Sequence, residues 1–375
     1  MALSETAWGH QIEALRNAIC KHITLQMSLR VHISSRGFME FCLELHLAYL
    51  ILREPETGPD ATTDQTLGDR ESFERLSFLM DDPSADTATV PKIYQAHISV
   101  VICGWTNTQW TGYAFANTGL EPESFEEYGE DEPKHDLFAA DRSEDYVKDT
   151  DPPTWDARKY WLEIVGIRCQ LVLREWQYLV NTVEDKVEHR RLNDPCSCGS
   201  NHTIQDPQQV QRSLNWTLQT MQLLRKLSDT LSVTLRAYTR FDARDGDKCY
   251  FSDIKDPSIR ILQNGIKESF EKLADLHSRL LSLDDSCNRF ATHLGRLLSL
   301  ESNRLTAQSN LLNHESNLLN AQSRDIQERT QELSQATITL NKEIRKLNEE
   351  STEAARANQN AAAKTSLSTR VNVEV

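Results

Sequence analysis

A seven-residue repeat in the C-terminal part of the chain constrains its fold more than any other feature of the sequence. Apolar residues at this spacing return to one face of a slightly under-wound helix and form a continuous seam. No glycine or proline interrupts residues 298–347. The repeat therefore predicts one long helix, roughly 75 Å over these residues at about 1.5 Å per residue. The apolar positions are Leu298, Leu305, Leu312, Leu319, Ile326, Leu333, Leu340 and Leu347.

The second position of the repeat, offset by three and four residues from the first, is mostly polar. It is occupied by Ser302, Ser309, Ser316, Ser323, Thr330, Thr337 and Ile344. Buried hydroxyls add almost nothing to association and carry a desolvation penalty. The residues that flank the seam are mostly uncharged, so charge does not select a partner. We expect a weak or adaptable zipper, with homo-oligomerisation and antiparallel docking on the chain's own helices as the two alternatives.

The composition narrows the class of function. The chain of 375 residues is long enough for two or more domains, and its formal net charge of −15 repels phosphate backbones. We expect no nucleic-acid partner, because no basic patch offsets this charge. The first residues lack the pattern of a signal peptide, and no apolar run of about 18 residues predicts a transmembrane helix. The eight cysteines are therefore expected to be reduced thiols in the cytoplasm.

Changes in composition and apolar spacing along the chain predict a mainly α fold: a helical bundle with a long C-terminal coiled-coil-like helix and a small N-terminal α or α+β part. The expected boundaries are an N-terminal domain at 1–119, an acidic linker at 120–154, a helical bundle at 155–297, the heptad helix at 298–352 and a disordered tail at 353–375.

Apolar residues at three- and four-residue steps locate the helices of the bundle. Helices are predicted at 155–192, at 210–241 and from Ser258 onward, with Asp156 as the N-cap of the first. Long helices joined by short loops are expected to pack antiparallel with their neighbours.

The N-terminal domain is harder to interpret. Composition and spacing predict helices at 5–28, 38–53 and 70–80. The β-branched and aromatic residues of 93–115 allow two interpretations. One is a β-hairpin that turns near Asn107, and the other is a helix from Lys92 to Cys103 followed by an aromatic loop.

Candidate chemistry is limited to one cysteine-rich loop. Zinc takes four sulfur or imidazole ligands, and Cys196, Cys198 and His202 supply three of them. The nearest further ligands, His189 and Cys249, are placed by no motif. The alternative is a flexible interhelical loop with free thiols. The sequence contains no nucleophile elbow, phosphate-binding loop or dinucleotide fingerprint, so we expect no enzymatic activity.

Several blocks of sequence occur in a recognisable order. They are RGF at 36–38 with LELHLAYLILR at 43–53, QAHISV at 95–100 with WTGYAF at 110–115, WDARKYW at 155–161 with Arg168 and Glu175-Trp176, and FATHL at 290–294 with LESNRL at 300–305. In this order they resemble a group of filamentous-fungal proteins related to CorA-like magnesium transporters. The resemblance covers most of residues 36–350, with Ala48 where a proline is expected.

The resemblance implies a cation-responsive module, or a relative of these transporters that lacks the membrane segment. Members of this kind often place two transmembrane helices after the long helix. Here residues 366–370 read SLSTR instead of an apolar run, and the Gly-Met-Asn pore signature is absent. Transport by this chain alone is therefore not expected. Magnesium is the implied cation, and a membrane protein is the implied partner.

The sequence as a whole favours a non-enzymatic helical scaffold that acts through its heptad helix. The expected partner is a second copy or another helical protein, and no cofactor is expected beyond the zinc or magnesium alternatives.

Overall fold

The computed structural model of the protein describes residues 11–33, 41–53, 72–79, 90–116, 135–141, 146–149, 153–194, 196 and 207–371. Four helices and seven strands lie within these ranges. They are α1 (Ile12–Ile23), β1 (Ser28–Ile33), β2 (Phe41–Arg53), β3 (Ser72–Arg75), β4 (Lys92–Thr106), β5 (Gln109–Ala116), β6 (His135–Asp141), β7 (Tyr146–Asp149), α2 (Ala157–Asn193), α3 (Pro207–Phe241) and α4 (Pro257–Val371). Short 3₁₀ turns occupy Ser77–Leu79 and Asp247–Phe251. The fold is mostly helical, with a small N-terminal antiparallel sheet.

The sheet is built around β4. Strands β1, β2 and β4 are neighbours in that order, and β3 and β5 pair with opposite ends of the far edge of β4. β4 and β5 form a hairpin, with Thr106 opposite Gln109 and the turn between them. The hairpin interpretation of residues 93–115 is therefore confirmed, and the helical alternative is wrong.

The helix predicted at 38–53 is wrong, because residues 41–53 form the thirteen-residue strand β2. Both faces of β2 are covered, so ten consecutive residues from Leu43 to Leu52 are buried. A strand buried on both faces need not alternate along its whole length, and in β2 the polar residues at 42, 44 and 46 are followed by a continuous apolar run at 47–52. Its length and its leucine, alanine and glutamate content then favour a helix, and pairing with β1 and β4 overrides that preference.

Two shorter helix predictions also need correction. Residues 72–75 form β3 and residues 77–79 a 3₁₀ turn, where a helix at 70–80 was expected. The helix expected at 5–28 ends at Ile23, because Leu25 adopts a positive φ of 54° and the chain enters β1 at Ser28. Residues 5–10 of that prediction lie outside the described residues.

The acidic segment 120–154 contains the antiparallel pair β6–β7, at 135–141 and 146–149. Residues 120–134, 142–145 and 150–152 of the predicted linker lie outside the described residues.

The two faces of the main sheet differ in character. Leu43, Leu45 and Leu47 of β2 lie on one face, and they join the residues of α2 in the main apolar cluster. Arg53 lies on the same face and makes two hydrogen bonds, at 2.9 and 3.0 Å, to the Glu175 carboxylate of α2. The opposite face carries polar residues and contacts α1. The sheet is thus a layer between α1 and the helices that follow.

Helices α2, α3 and the first part of α4 form an up-down-up bundle. Lys159 near the start of α2 pairs with Asp256, and Glu184 near its end pairs with Arg279, so α2 and α4 run in the same direction. Ser228 of α3 contacts His277 of α4. Tyr238, further along α3, stacks on Phe270, earlier in α4, so α3 runs antiparallel to α4. The predicted helices of the bundle and the antiparallel packing of α3 are confirmed.

Asp156 caps α2 as predicted, because its side chain accepts a hydrogen bond of 2.8 Å from the Arg158 amide. The Ala157 amide donates to the Asn107 carbonyl at 2.8 Å, which fixes the start of α2 to the β4–β5 turn. At the other edge of the sheet, the Val31 amide of β1 donates to Asp247 Oδ2 at 2.9 Å. The connection between α3 and α4 is thereby attached to the sheet.

The chain divides into two compact units, residues 1–298 and 299–375. α4 belongs to both, since it runs 115 residues without interruption to Val371. The single long helix predicted from the repeat is confirmed. The helix also covers 353–371, where a disordered tail was predicted, and the alanine-rich composition of 354–363 favours that continuation.

Replacing Leu45 by alanine should lower the free energy of unfolding by about 2–5 kcal/mol, because Leu45 is fully buried under α2 and the change leaves a cavity. Denaturant unfolding followed by tryptophan fluorescence measures this in unit 1, since every tryptophan precedes residue 217. Leu281→Ala is the matched control. Its side chain is exposed, so the change should be within about 0.5 kcal/mol. Equal losses in the two variants would contradict the sheet packing described here.

Candidate functional site

The predicted seam lies on a solvent-exposed part of α4. Seven of its eight residues are exposed, with exposed fractions from 53% at Leu305 to 69% at Leu333. They are Leu305, Leu312, Leu319, Ile326, Leu333, Leu340 and Leu347. All seven lie in the second unit, and they are called the seam from here on. Exposed apolar residues recurring on one helix face are typical of a surface that binds another helix.

Leu298 differs from the other seven residues of the repeat. Its side chain is partly buried and packs with Leu294, Val210 and Cys196 in a small apolar cluster of the first unit. It therefore stabilises the end of the bundle and is not part of the exposed seam.

Threonines at the second position of the repeat have their hydroxyl groups satisfied by their own helix. Thr330 Oγ1 donates to the Ile326 carbonyl and Thr337 Oγ1 to the Leu333 carbonyl, each at 2.8 Å. A partner helix that covered these threonines would not leave a hydroxyl donor unpaired. The desolvation penalty expected from the sequence is therefore smaller at these positions.

Three of the charged residues beside the seam are paired within α4. Glu301 pairs with Arg304, Arg329 with Asp325, and Glu350 with Lys346. Exposed pairs of this kind contribute little stability, and they leave few charges to choose a partner or its direction. The seam is thus an apolar surface with weak electrostatic selectivity.

A second feature was missed by the sequence analysis: a buried polar layer between the sheet and α1. His46 of β2 and His97 and Ser99 of β4 are almost fully buried. His22 of α1 completes the group, because its Nδ1 lies 2.9 Å from Ser99 Oγ. The sequence does contain a signal for this layer. Polar residues recur at every second position, at 42, 44 and 46 and at 97 and 99, within two apolar runs, which places them on one face of two strands.

Three imidazoles surround the Ser99 hydroxyl. Ser99 Oγ lies 2.8 Å from His46 Nδ1 and 3.3 Å from His97 Nδ1, and the Nδ1 atoms of His22 and His97 are 3.0 Å apart. The three contacts of Ser99 Oγ are satisfied with neutral rings if His46 and His97 donate from Nδ1 and Ser99 donates to His22. A further proton on His22 Nδ1 would bring two N–H groups face to face. The packing therefore holds the histidines neutral.

Burial is the main cause of the lowered pKa values in this layer. It lowers the pKa of His46 and that of His97 to about 3, and the Lys21 ammonium lowers the His46 pKa further. The pKa of His22 is also lowered by burial. Ser99 is fully enclosed, so its hydroxyl does not reach solvent or a substrate. We interpret the layer as structural and as sensitive to acid.

A cleft of about 850 Å³ lies beside the polar layer. It is framed by α1, by the ends of β1, β2 and β4, and by the α3–α4 connection. Its volume is in the range of small-molecule sites. Its charged lining has both signs and therefore selects no single charge class of ligand: Lys21, Arg30 and Arg240 against Glu13, Glu44, Asp245 and Asp247. Lys21 and Glu44 form an ion pair inside it, and the Cys42 and Cys103 thiols also line it.

The predicted zinc ligands are only partly described. Cys196 is buried after the end of α2, and its amide donates to Asp194 Oδ1 at 2.8 Å. Cys198 and His202 lie outside the described residues, so this site stays a prediction. Cys249 is excluded as a further ligand. The neighbouring residue Tyr250 accepts a hydrogen bond from Arg158 at the start of α2, whereas Cys196 follows the end of α2. The length of the helix separates these two ends by roughly 55 Å.

Among the residues that the structure describes, no group of three or more His, Cys, Asp or Glu side chains is arranged to hold a metal ion. Within the same part of the chain, no helix combines the length and the apolar character needed to cross a membrane.

Comparison with protein-family models and with the curated proteins finds no match to this chain. The resemblance to proteins related to CorA-like magnesium transporters stays a prediction from the sequence.

Acid should destabilise the first unit through His46 and His97. Their pKa in the folded state is about 3, against 6.5 without burial, so the unfolded chain binds more protons between these values. Stability is complete above about pH 7 and falls as pH decreases, by about 2 kcal/mol per histidine at about pH 5. Denaturant unfolding at several pH values, followed by tryptophan fluorescence, measures this dependence.

His46→Gln and His97→Gln should each remove about 2 kcal/mol of the difference in stability between about pH 7 and pH 5. His314→Gln serves as the control, because that side chain is exposed on α4 and its loss should leave the pH dependence unchanged. If the His46 and His97 variants keep the wild-type slope, the neutral histidine layer is wrong.

Proposed function

We propose that this chain is a non-enzymatic helical scaffold protein that associates with a second copy of itself through the seam of α4. The observation that carries the proposal is the row of seven exposed leucine and isoleucine side chains on one face of an uninterrupted helix. Such a row loses contact with water only when another helix covers it.

The energy available from the seam is large enough for association. Burying a leucine or isoleucine fully contributes about 1.5–3 kcal/mol, so seven residues of this exposure offer on the order of 6–12 kcal/mol per helix. Two helices offer twice that, against about 4–15 kcal/mol for the freedom lost on binding. The gain exceeds the cost over most of these ranges, which supports association.

A second copy is the partner that the seam itself favours. Each copy brings the same apolar surface, so the two helices match in spacing and length without further design. The neighbouring charges Glu301, Arg329 and Glu350 are already paired within their own helix, which removes a means of selecting a different partner.

The first unit supports the non-enzymatic part of the proposal. Ser99 is fully enclosed by its three histidines, so the serine–histidine contacts of the polar layer have no access to a substrate. In the cleft, burial and the Glu44 carboxylate raise the pKa of the Cys42 thiol, which opposes the thiolate that a cysteine nucleophile needs. Neither group is activated for covalent catalysis.

The expected location is the cytoplasm. This expectation comes from the sequence, in which eight scattered cysteines occur without the pattern of a signal peptide.

Introducing charge into the seam should abolish self-association of the full chain. The variant Leu312→Glu, Leu319→Glu and Leu333→Glu places three carboxylates where two helices would meet, and burying them unpaired is prohibitive. Sedimentation equilibrium should show a monomer for this variant and a dimer or larger species for the wild type. Far-ultraviolet circular dichroism checks that both remain helical.

The matched control carries the same three charges on the other side of the helix. Asn310, Asn317 and Gln331 each precede a seam leucine by two residues, which places them on the opposite face. Their replacement by glutamate should leave the oligomeric state of the wild type unchanged. A monomeric wild type, or equal association of the seam and control variants, would refute the proposal.

Filling the polar position of the repeat should strengthen association. Replacing Ser309, Ser316 and Ser323 by isoleucine adds apolar surface beside the leucines, and the dissociation constant should fall by about a hundredfold or more. Concentration-dependent thermal melts of α4, followed by circular dichroism, measure the change. Isoleucine at Asn310, Asn317 and Gln331 is the comparison, and an equal gain there would show that general hydrophobicity, not the seam, drives association.

A further inference from the structure

Two cysteines face each other across neighbouring strands in the first unit. Cys42 of β2 and Cys103 of β4 are directly opposed in the antiparallel register. Opposed residues in such a pair have Cα atoms about 4.5–5.5 Å apart, which lies within the range that a disulfide spans. Opposed side chains also point to the same face of the sheet. The register of the two strands therefore brings these two cysteines within the range of a disulfide.

Both thiols border the cleft beside the polar layer. Cys42 is half-buried and Cys103 is 5% exposed. The Cys103 sulfur is close enough to affect the ionisation of Cys42. The 850 Å³ of open space beside them gives a small reagent access to a pair that a buried sheet would otherwise shield.

We propose that Cys42 and Cys103 are a reversible redox pair that closes into a disulfide by exchange with a small-molecule disulfide, of the glutathione type, in the cleft. The pair lies in the first unit, and the proposal does not depend on association through α4. Its chemical class of co-reactant is a soluble organic disulfide.

The exchange proceeds in two steps that balance. The thiolate of Cys42, the more accessible of the two, attacks one sulfur of the small disulfide, breaks its S–S bond and releases one thiolate. The thiolate of Cys103 then attacks the Cys42 sulfur and releases the second small thiolate. The two protons lost by the cysteines are taken up by the two released thiolates. The protein pair is oxidised and the small disulfide is reduced to two thiols.

Burial and the Glu44 carboxylate slow the first step. Burial is the main cause of the raised pKa of the Cys42 thiol, and Glu44, whose Oε1 lies 3.9 Å from Cys42 Sγ, raises that pKa further. Since exchange requires the thiolate, oxidation is slow at neutral pH and accelerates as pH rises. Lys21 forms an ion pair with Glu44 and opposes this effect of the carboxylate. The ion pair at the edge of the cleft thus controls the rate at which the pair responds.

Peptide mapping of the folded full chain tests the proposal after incubation with oxidised glutathione over a series of pH values. We expect one new crosslinked peptide joining Cys42 to Cys103, with the loss of two hydrogen atoms, and reversal by a dithiol reductant. The rate should rise about tenfold per pH unit while the thiol remains mostly protonated. A raised midpoint of thermal unfolding should accompany the crosslink, because the bond restricts the unfolded chain.

Three variants separate this pair from other thiols. Cys20→Ser with Cys249→Ser removes exposed cysteines and should leave the crosslink intact. Cys103→Ser should stop the reaction at a mixed disulfide on Cys42. Glu44→Gln should speed closure, roughly threefold for each unit by which the Cys42 pKa falls. The proposal is overturned if folded wild-type protein keeps Cys42 and Cys103 alkylatable while Cys20 and Cys249 react, or if either cysteine crosslinks elsewhere.

Discussion

The structure of the first unit depends on covering the apolar face of β2 and β4 with α2. Leu43, Leu45 and Leu47 form an apolar surface that must be buried for the sheet to be stable. The apolar face of α2 covers this surface. Because α2 is itself enclosed by α3 and α4, the sheet and the bundle share a single apolar cluster. Trp161 of α2 stacks on Phe251 of the α3–α4 connection at 5.5 Å and closes this core near the sheet. Loss of either layer exposes the other, so the unit is expected to unfold as one.

The helices could be predicted from the sequence because each bundle helix is apolar at regular helical steps. The N-cap at Asp156 and the uninterrupted repeat of α4 add local chemistry that points to the same answer. Strand β2 could not be predicted in the same way, because it is covered on both sides and its short alternation at 42–46 runs into a continuous apolar stretch at 47–52. The hairpin of β4 and β5 was one of two open interpretations, because β-branched and aromatic residues describe a buried helix nearly as well.

The same contrast holds for the functional surfaces. The seam could be predicted because its residues are close in sequence and their spacing defines their face. The polar layer and the cleft could not, since His22, His46 and His97 come from three separate elements and meet only through the register of the sheet. The positions of these histidines in the sequence do not indicate which residues of the two strands pair. Leu298 shows that spacing alone does not predict exposure. It belongs to the repeat, yet neighbours from α3 and the end of α2 cover its side chain.

The bond between the Val31 amide and Asp247 has a consequence for how copies of this protein meet. β1 is an edge strand. Its outward amides and carbonyls could form hydrogen bonds with a strand of another molecule. Asp247 occupies one of those amides and places a carboxylate where an incoming strand would have to lie. β1 has only six residues, so blocking one outward amide interrupts the row of hydrogen bonds that aggregation through strand pairing would require. The carboxylate of Asp247 therefore protects this edge of the sheet against amyloid-like pairing, while the seam of α4 stays exposed.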